Sequence, residues 1–154
     1  MSKAVSAADP LATEAVVALF RLSDALGGAA RALCAKHGIT TPAAFNVLAI
    51  LDGEGGPLAP SVIAARMVVS RPTITGIVDS LARRGQVKVL AHPSDRRMSL
   101  VELTGAGRSR VRRMQANLHD LEAQWLSDLP DAEKRQVAAL AERLIASLPA
   151  ELKP

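Results

Sequence analysis

The sequence predicts a mainly α fold carrying one small β-hairpin, and three observations predict it. Apolar residues recur at alternating steps of three and four over long stretches at both ends of the chain, the period of a helix face. Serine, threonine or proline stands where these stretches begin and glycine where several of them end, as helix caps require. In one place, VKVLA-HPSDRR-MSLVEL (residues 87–103), the pattern changes to two short β-branched and apolar runs around a turn.

In chain order, Ala15, Leu19, Leu22, Leu26, Ala29 and Leu33 form the stripe of a long helix from about Leu11 to His37, closed by Lys36, His37 and Gly38. Thr41 and Pro42 start a second helix as N-cap and first residue, running through Phe45, Leu48 and Leu51 to Asp52. EGGPLAP reads as a loop. Ser61 is expected to cap a short helix bearing Ile63, Ala64 and Met67, and Ser70 to cap the next, with Arg71 and Pro72 in its first turn. That helix buries Ile74, Ile77, Val78 and Leu81, and Gly85 ends it. Small Ala64 before a tight turn and Ile74 after it give helix-turn-helix spacing. Val68 occupies the turn position where glycine is usual. A left-handed backbone there would cost a β-branched residue ~1–2 kcal/mol, so another turn geometry is expected.

After the hairpin, Thr104 caps a further long helix with Val111, Met114, Leu118, Leu121 and Trp125 on one seam. Pro130 and Asp131 break and restart the chain, and Val137, Leu140, Leu144 and Leu148 line a last helix. The terminal helices carry more apolar face than the central segment needs, so they are expected to bury against a second subunit. A helix-turn-helix followed at once by a hairpin is a winged helix. The expected organisation is a flexible N-terminus (1–10), an N-terminal dimerisation helix (11–37), a winged helix-turn-helix (38–104) and C-terminal dimerisation helices (105–154).

At 154 residues, 49% apolar and 22% charged, the chain fits one folded domain with extensions. No apolar run approaches the ~18 residues of a membrane span. The N-terminus lacks a signal-peptide pattern, and the single Cys34 excludes an internal disulfide framework, so a cytoplasmic location is expected, with no membrane partner. Charge is unevenly placed: Arg66 to Arg113 holds eleven Lys/Arg against three acids, a net of +8, while the remainder nets −4. That is the footprint of a polyanion-binding element. With Phe20, Phe45 and Trp125 as the only aromatics there is no stacking platform for single strands, which favours duplex DNA. No nucleophile elbow, P-loop, dinucleotide fingerprint or zinc-hydrolase motif is present, so neither an enzyme nor a cofactor is expected. Cys34 and His37 share a helix face, but two ligands do not make a metal site.

In a winged helix the second helix of the pair enters the major groove and the hairpin lies along the minor groove. Subtracting the buried stripe leaves Arg71, Pro72, Thr73, Thr75 and Gly76 at the reading end, with Ser70 as cap or phosphate contact. Arg71 can read guanine or hold phosphate; Thr73 and Thr75 can bond either; Gly76 admits close approach. Arg83, Arg84 and Lys88 can neutralise phosphates or remain solvated. At the wing tip stand Asp95, Arg96 and Arg97. An arginine there can enter the electronegative minor groove, with the carboxylate orienting it.

These residues resemble the MarR family (multiple antibiotic resistance regulators) over Gly38 to Gly107, in GITTPAAFNVLAIL, in SVIAARMVVSRPTITGIVDSLARRG and most specifically in HPSDRRMSLVELTGAG. The resemblance implies a homodimeric transcription regulator, usually a repressor, on a pseudo-palindromic operator, with Arg97 as the minor-groove arginine and Asp95 its orienting partner. Val89, Val68 and Val62 depart from the family pattern, replacing a common arginine, a turn glycine and a usual acid. The resemblance further implies a small phenolic or lipophilic effector, whose pocket Phe20, Phe45 and Trp125 would line by position. Two other readings stay open: a winged helix used for protein docking without specific DNA binding, and redox sensing through Cys34, which sits at the far end of its helix from the cysteine of oxidant-sensing relatives.

Overall fold

The structure, a computed structural model, describes residues 9–95 and 98–149. It contains six helices and one hairpin among these residues: α1 (Pro10–Lys36), α2 (Pro42–Glu54), α3 (Pro60–Met67), α4 (Arg71–Arg83), β1 (Val87–Ala91), β2 (Ser99–Leu103), α5 (Gly105–Trp125) and α6 (Asp131–Ala146). The chain divides into two compact units, residues 1–114 and 115–154, with the boundary inside α5.

In the first unit, caps and core agree. Thr41 accepts the Ala44 N–H at 3.0 Å, and Pro42 follows it where the helix needs no donor. Leu48 and Leu51 of α2, Ile63 of α3, and Ile74 and Leu81 of α4 are buried almost completely. Each such side chain contributes about 1.5–3 kcal/mol relative to exposure. Asp52, near the end of α2, takes Arg108 Nη1 at 2.8 Å and Arg112 Nε at 3.0 Å, one turn apart on α5. The hairpin is antiparallel in the register Val87↔Leu103 to Ala91↔Ser99. Leu58 adds an isolated bridge, its N–H donating to Val101 at 2.9 Å and its carbonyl accepting from Val101 at 2.8 Å. The segment read as loop therefore supplies a third, one-residue rung.

Two expectations are corrected. Ser61 does not cap α3: Ala59 is the N-cap and Pro60 the first helical residue, because proline's fixed φ starts the helix two residues early. Val68 does adopt the left-handed conformation, φ 54 and ψ 46, and its N–H closes α3 on Ala65 at 3.3 Å. The tight turn needs that backbone, and a side chain 91% exposed meets no further obstacle. The strain stays in the fold, so Val68→Gly is expected to stabilise the protein by about 1 kcal/mol, read as a rise in the denaturant midpoint.

The terminal helices bury little. In α1 only Leu33 and Cys34 are buried, and Leu19, Leu22 and Leu26 of the predicted stripe stay largely exposed. In the second unit α6 buries no residue, and Leu121, Trp125, Val137, Leu140 and Leu144 lie open. No single helix among the described residues is long and apolar enough to cross a membrane.

Candidate nucleic-acid interface

Helix α4 has one apolar side and one polar side. Ser70 begins it from extended backbone, its Oγ accepting the Thr73 N–H at 3.4 Å and lying 2.8 Å from the Thr73 hydroxyl. With Ile74, Val78 and Leu81 turned into the core, Arg71, Pro72, Thr73, Thr75 and Gly76 are all exposed. Thr75 donates its hydroxyl proton to the Arg71 carbonyl at 3.1 Å. Its outward chemistry is therefore a lone pair and a methyl group, suited to a base amino group or a thymine methyl.

Gly76 is the informative residue. A Cβ at this position would meet nothing within 4 Å. Glycine in an exposed helix interior costs about 1 kcal/mol relative to alanine, and no contact within the protein demands it here. The room it leaves faces outward.

The wing stands beside this helix. A cavity of about 350 Å³ is lined by Ala59, Pro60, Ser61, Arg71, Thr75, Met98 and Ser99, so the N-terminal end of α4 and the tip end of β2 face one space. Ser61, misread as a cap, lines it instead; Pro60 at the helix start was the signal available. At the tip, the His92 N–H donates to the Met98 carbonyl at 3.1 Å, and the Met98 N–H donates to the Asp95 carbonyl at 3.0 Å. Asp95 is exposed on this turn. Arg96 and Arg97 lie outside the described residues.

The positive charge of the segment is partly neutralised. Arg66 pairs with Glu54, Lys88 with Glu102 at 2.8 Å, and Arg108 and Arg112 with Asp52. Arg71, Arg83 and Arg84 are exposed and make no ion pair among the described residues. Lys88 is thus already engaged, although a surface pair worth about 0–1 kcal/mol can exchange for a phosphate.

The other candidates stand apart from this face. Cys34 is fully buried, and burial raises its thiol pKa, which suppresses the reactive thiolate. No cluster of three or more potential metal ligands occurs among the described residues. Phe20 and Trp125 are 67% and 59% exposed, and Phe45 is half-buried on α2. A separate open cavity of about 360 Å³ is lined by Asn46, Ala49, Ile50, Arg66 and Met67.

Fold and site together define a winged helix-turn-helix protein in which the outer face of α4 is polar and unobstructed. The sequence model of the MarR family matches residues 37–98. The repressor MdtR of Bacillus subtilis is 32% identical over 109 residues, 71% of this chain and 69% of MdtR. The repressor YetL of the same organism is 40% identical over 68 residues, 44% of this chain and 41% of YetL, so the match spans less than half of that relative. Among solved structures, the M. tuberculosis transcriptional regulator MOSR in complex with DNA superimposes with a TM-score of 0.64 at 27% identity, covering 86% of this chain and 96% of that one. PcaV of Streptomyces coelicolor, a transcriptional regulator bound to its natural ligand, gives a TM-score of 0.68 at 26% identity, covering 96% and 99%. The chain belongs to the MarR family, whose members matched here are transcriptional regulators and not enzymes.

Proposed function

We propose that the protein is a homodimeric repressor that binds a pseudo-palindromic operator and releases it when a small molecule binds. The observation that carries this is the outer face of α4: Arg71, Pro72, Thr73, Thr75 and Gly76 exposed together, with Gly76 unexplained by any internal contact. The helix enters the major groove with these residues against base edges, Ser70 caps and touches phosphate, and Arg83, Arg84 and Lys88 meet the flanking backbone. Arg97 at the wing tip enters the minor groove, with Asp95 holding its direction. The open apolar faces of α1, α5 and α6 support a second copy as their cover. The ligand-bound relative supports an effector, for which Phe20, Phe45 and Trp125 remain candidates.

Two recognition helices one helical turn apart, ~34 Å, place half-sites at ~10 base-pair spacing. Selection from a random duplex pool followed by footprinting is expected to recover such a paired site; a single unpaired half-site contradicts the dimeric arrangement. Gly76→Ala separates stability from binding. The variant is expected to gain about 0.5–1 kcal/mol in denaturant unfolding and to lose affinity for the selected duplex. Unchanged affinity removes the close approach at this helix.

A further inference from the structure

We propose that His92 is the positioning residue of the wing tip, holding the turn in its DNA-reading shape only while its imidazole is neutral; this rests on the wing's role in binding DNA. His92 is half-buried at the end of β1. Its Nδ1 lies 3.3 Å from the Ser94 backbone N, which donates to it, and 3.2 Å from Ser94 Oγ. A backbone N–H can only donate, so Nδ1 must carry a lone pair and the ring proton must sit on Nε2. The contact copies an Asx-turn, in which a side-chain acceptor takes the N–H two residues on. The next turn is closed by the Met98 N–H donating to the Asp95 carbonyl at 3.0 Å, and the His92 backbone N–H donates to the Met98 carbonyl at 3.1 Å, so the imidazole braces the chain that leads into Asp95 and, in sequence, Arg96 and Arg97.

Protonation reverses the geometry. With a proton on Nδ1 the ring meets a donor with a donor. The new N–H can turn to Ser94 Oγ, and the Ser94 backbone N–H then loses its partner. The charged groups nearest in sequence are Asp95, Arg96 and Arg97; Arg71 lines the cavity that Met98 and Ser99 also line, and the Lys88–Glu102 pair lies further along the hairpin, toward its base. The arginines hold their charge throughout. An imidazolium also adds a cation near DNA, which strengthens binding to any duplex alike. The discriminating quantity is the ratio of affinities for a specific and a scrambled duplex.

The test measures that ratio for wild type, His92→Asn and His92→Ala at constant ionic strength between about pH 5 and 8, the span in which histidine changes charge. The duplex is the one recovered by selection. Wild type is expected to lose about three- to tenfold of its ratio toward acid, the worth of one hydrogen bond. His92→Asn, whose amide oxygen accepts at every pH, is expected to keep the high ratio with a flat profile. His92→Ala is expected to give the low ratio with a flat profile, while retaining the wild-type melting temperature to within a few degrees. A wild-type profile that His92→Asn reproduces, or His92→Ala matching wild type at neutral pH, overturns the proposal. Recovery of no preferred duplex by any variant overturns the regulator reading instead, and this proposal with it.

Discussion

Gly107→Ala is expected to destabilise the first unit by about 3 kcal/mol, the largest effect of any glycine-to-alanine change among the described residues. A Cβ at Gly107 would overlap the Gln86 carbonyl oxygen and press on Leu103 Cδ2 at 3.1 Å. The Gln86 backbone cannot move cheaply. The Gln86 N–H donates to Leu81 at 2.9 Å, and its carbonyl accepts from the Thr104 N–H at 3.1 Å and from Thr104 Oγ1 at 3.2 Å. Thr104 Oγ1 also donates to the Gly85 carbonyl at 2.7 Å and accepts the Gly107 N–H at 3.0 Å, capping α5. Gly107 thus sits where the end of α4, the base of the wing and the start of α5 meet. Gly105→Ala is the control, because its Cβ meets nothing within 4 Å. Thermal unfolding of both variants checks this, with a fall of roughly 10 °C expected for Gly107→Ala and little change for Gly105→Ala.

Arg97→Ala is expected to weaken specific operator binding by more than ~1 kcal/mol, the value of one good groove contact, while leaving the proposed dimerisation unchanged. The guanidinium is weakly hydrated and planar, so it loses little on entering the narrow groove, whereas a lysine ammonium is held by its water. Arg97→Lys is therefore expected to retain the salt-dependent, sequence-independent part of binding and to lose most of the specificity. Dimeric Arg97→Ala with unchanged affinity removes the wing from the account.

Much of the fold was readable from the residues, and what was missed has physical reasons. The caps at Thr41, Ser70 and Thr104 are short-range chemistry, and each forms as the local sequence predicts. Ile74, Val78 and Leu81 are buried where their spacing puts them. The start of α3 was misplaced because Ser61 has the better cap side chain while Pro60 has the fixed φ, and the backbone decides. Val68 was expected to avoid the left-handed region on its own preference, but the turn between two packed helices imposes the conformation. The Leu58–Val101 bridge and the Gly107–Gln86 approach join residues far apart in sequence, which no local pattern encodes.

The site divides in the same way. The exposed face of α4 follows from subtracting the buried stripe. The ion pairs that engage Arg108 and Arg112 do not, because Asp52 reaches α5 only through the tertiary fold, and the Lys88–Glu102 pair is set by the hairpin register. The His92–Ser94 brace was missed because a histidine two residues before a serine carries no signal until the turn between them is built.

The most direct measurement is fluorescence anisotropy of the protein against the selected duplex and a scrambled control, at two salt concentrations. Tight binding to the selected duplex alone is expected, falling steeply as salt rises and phosphate counterions cease to be released at a gain. Equal, weak binding to both duplexes at both salts would contradict it.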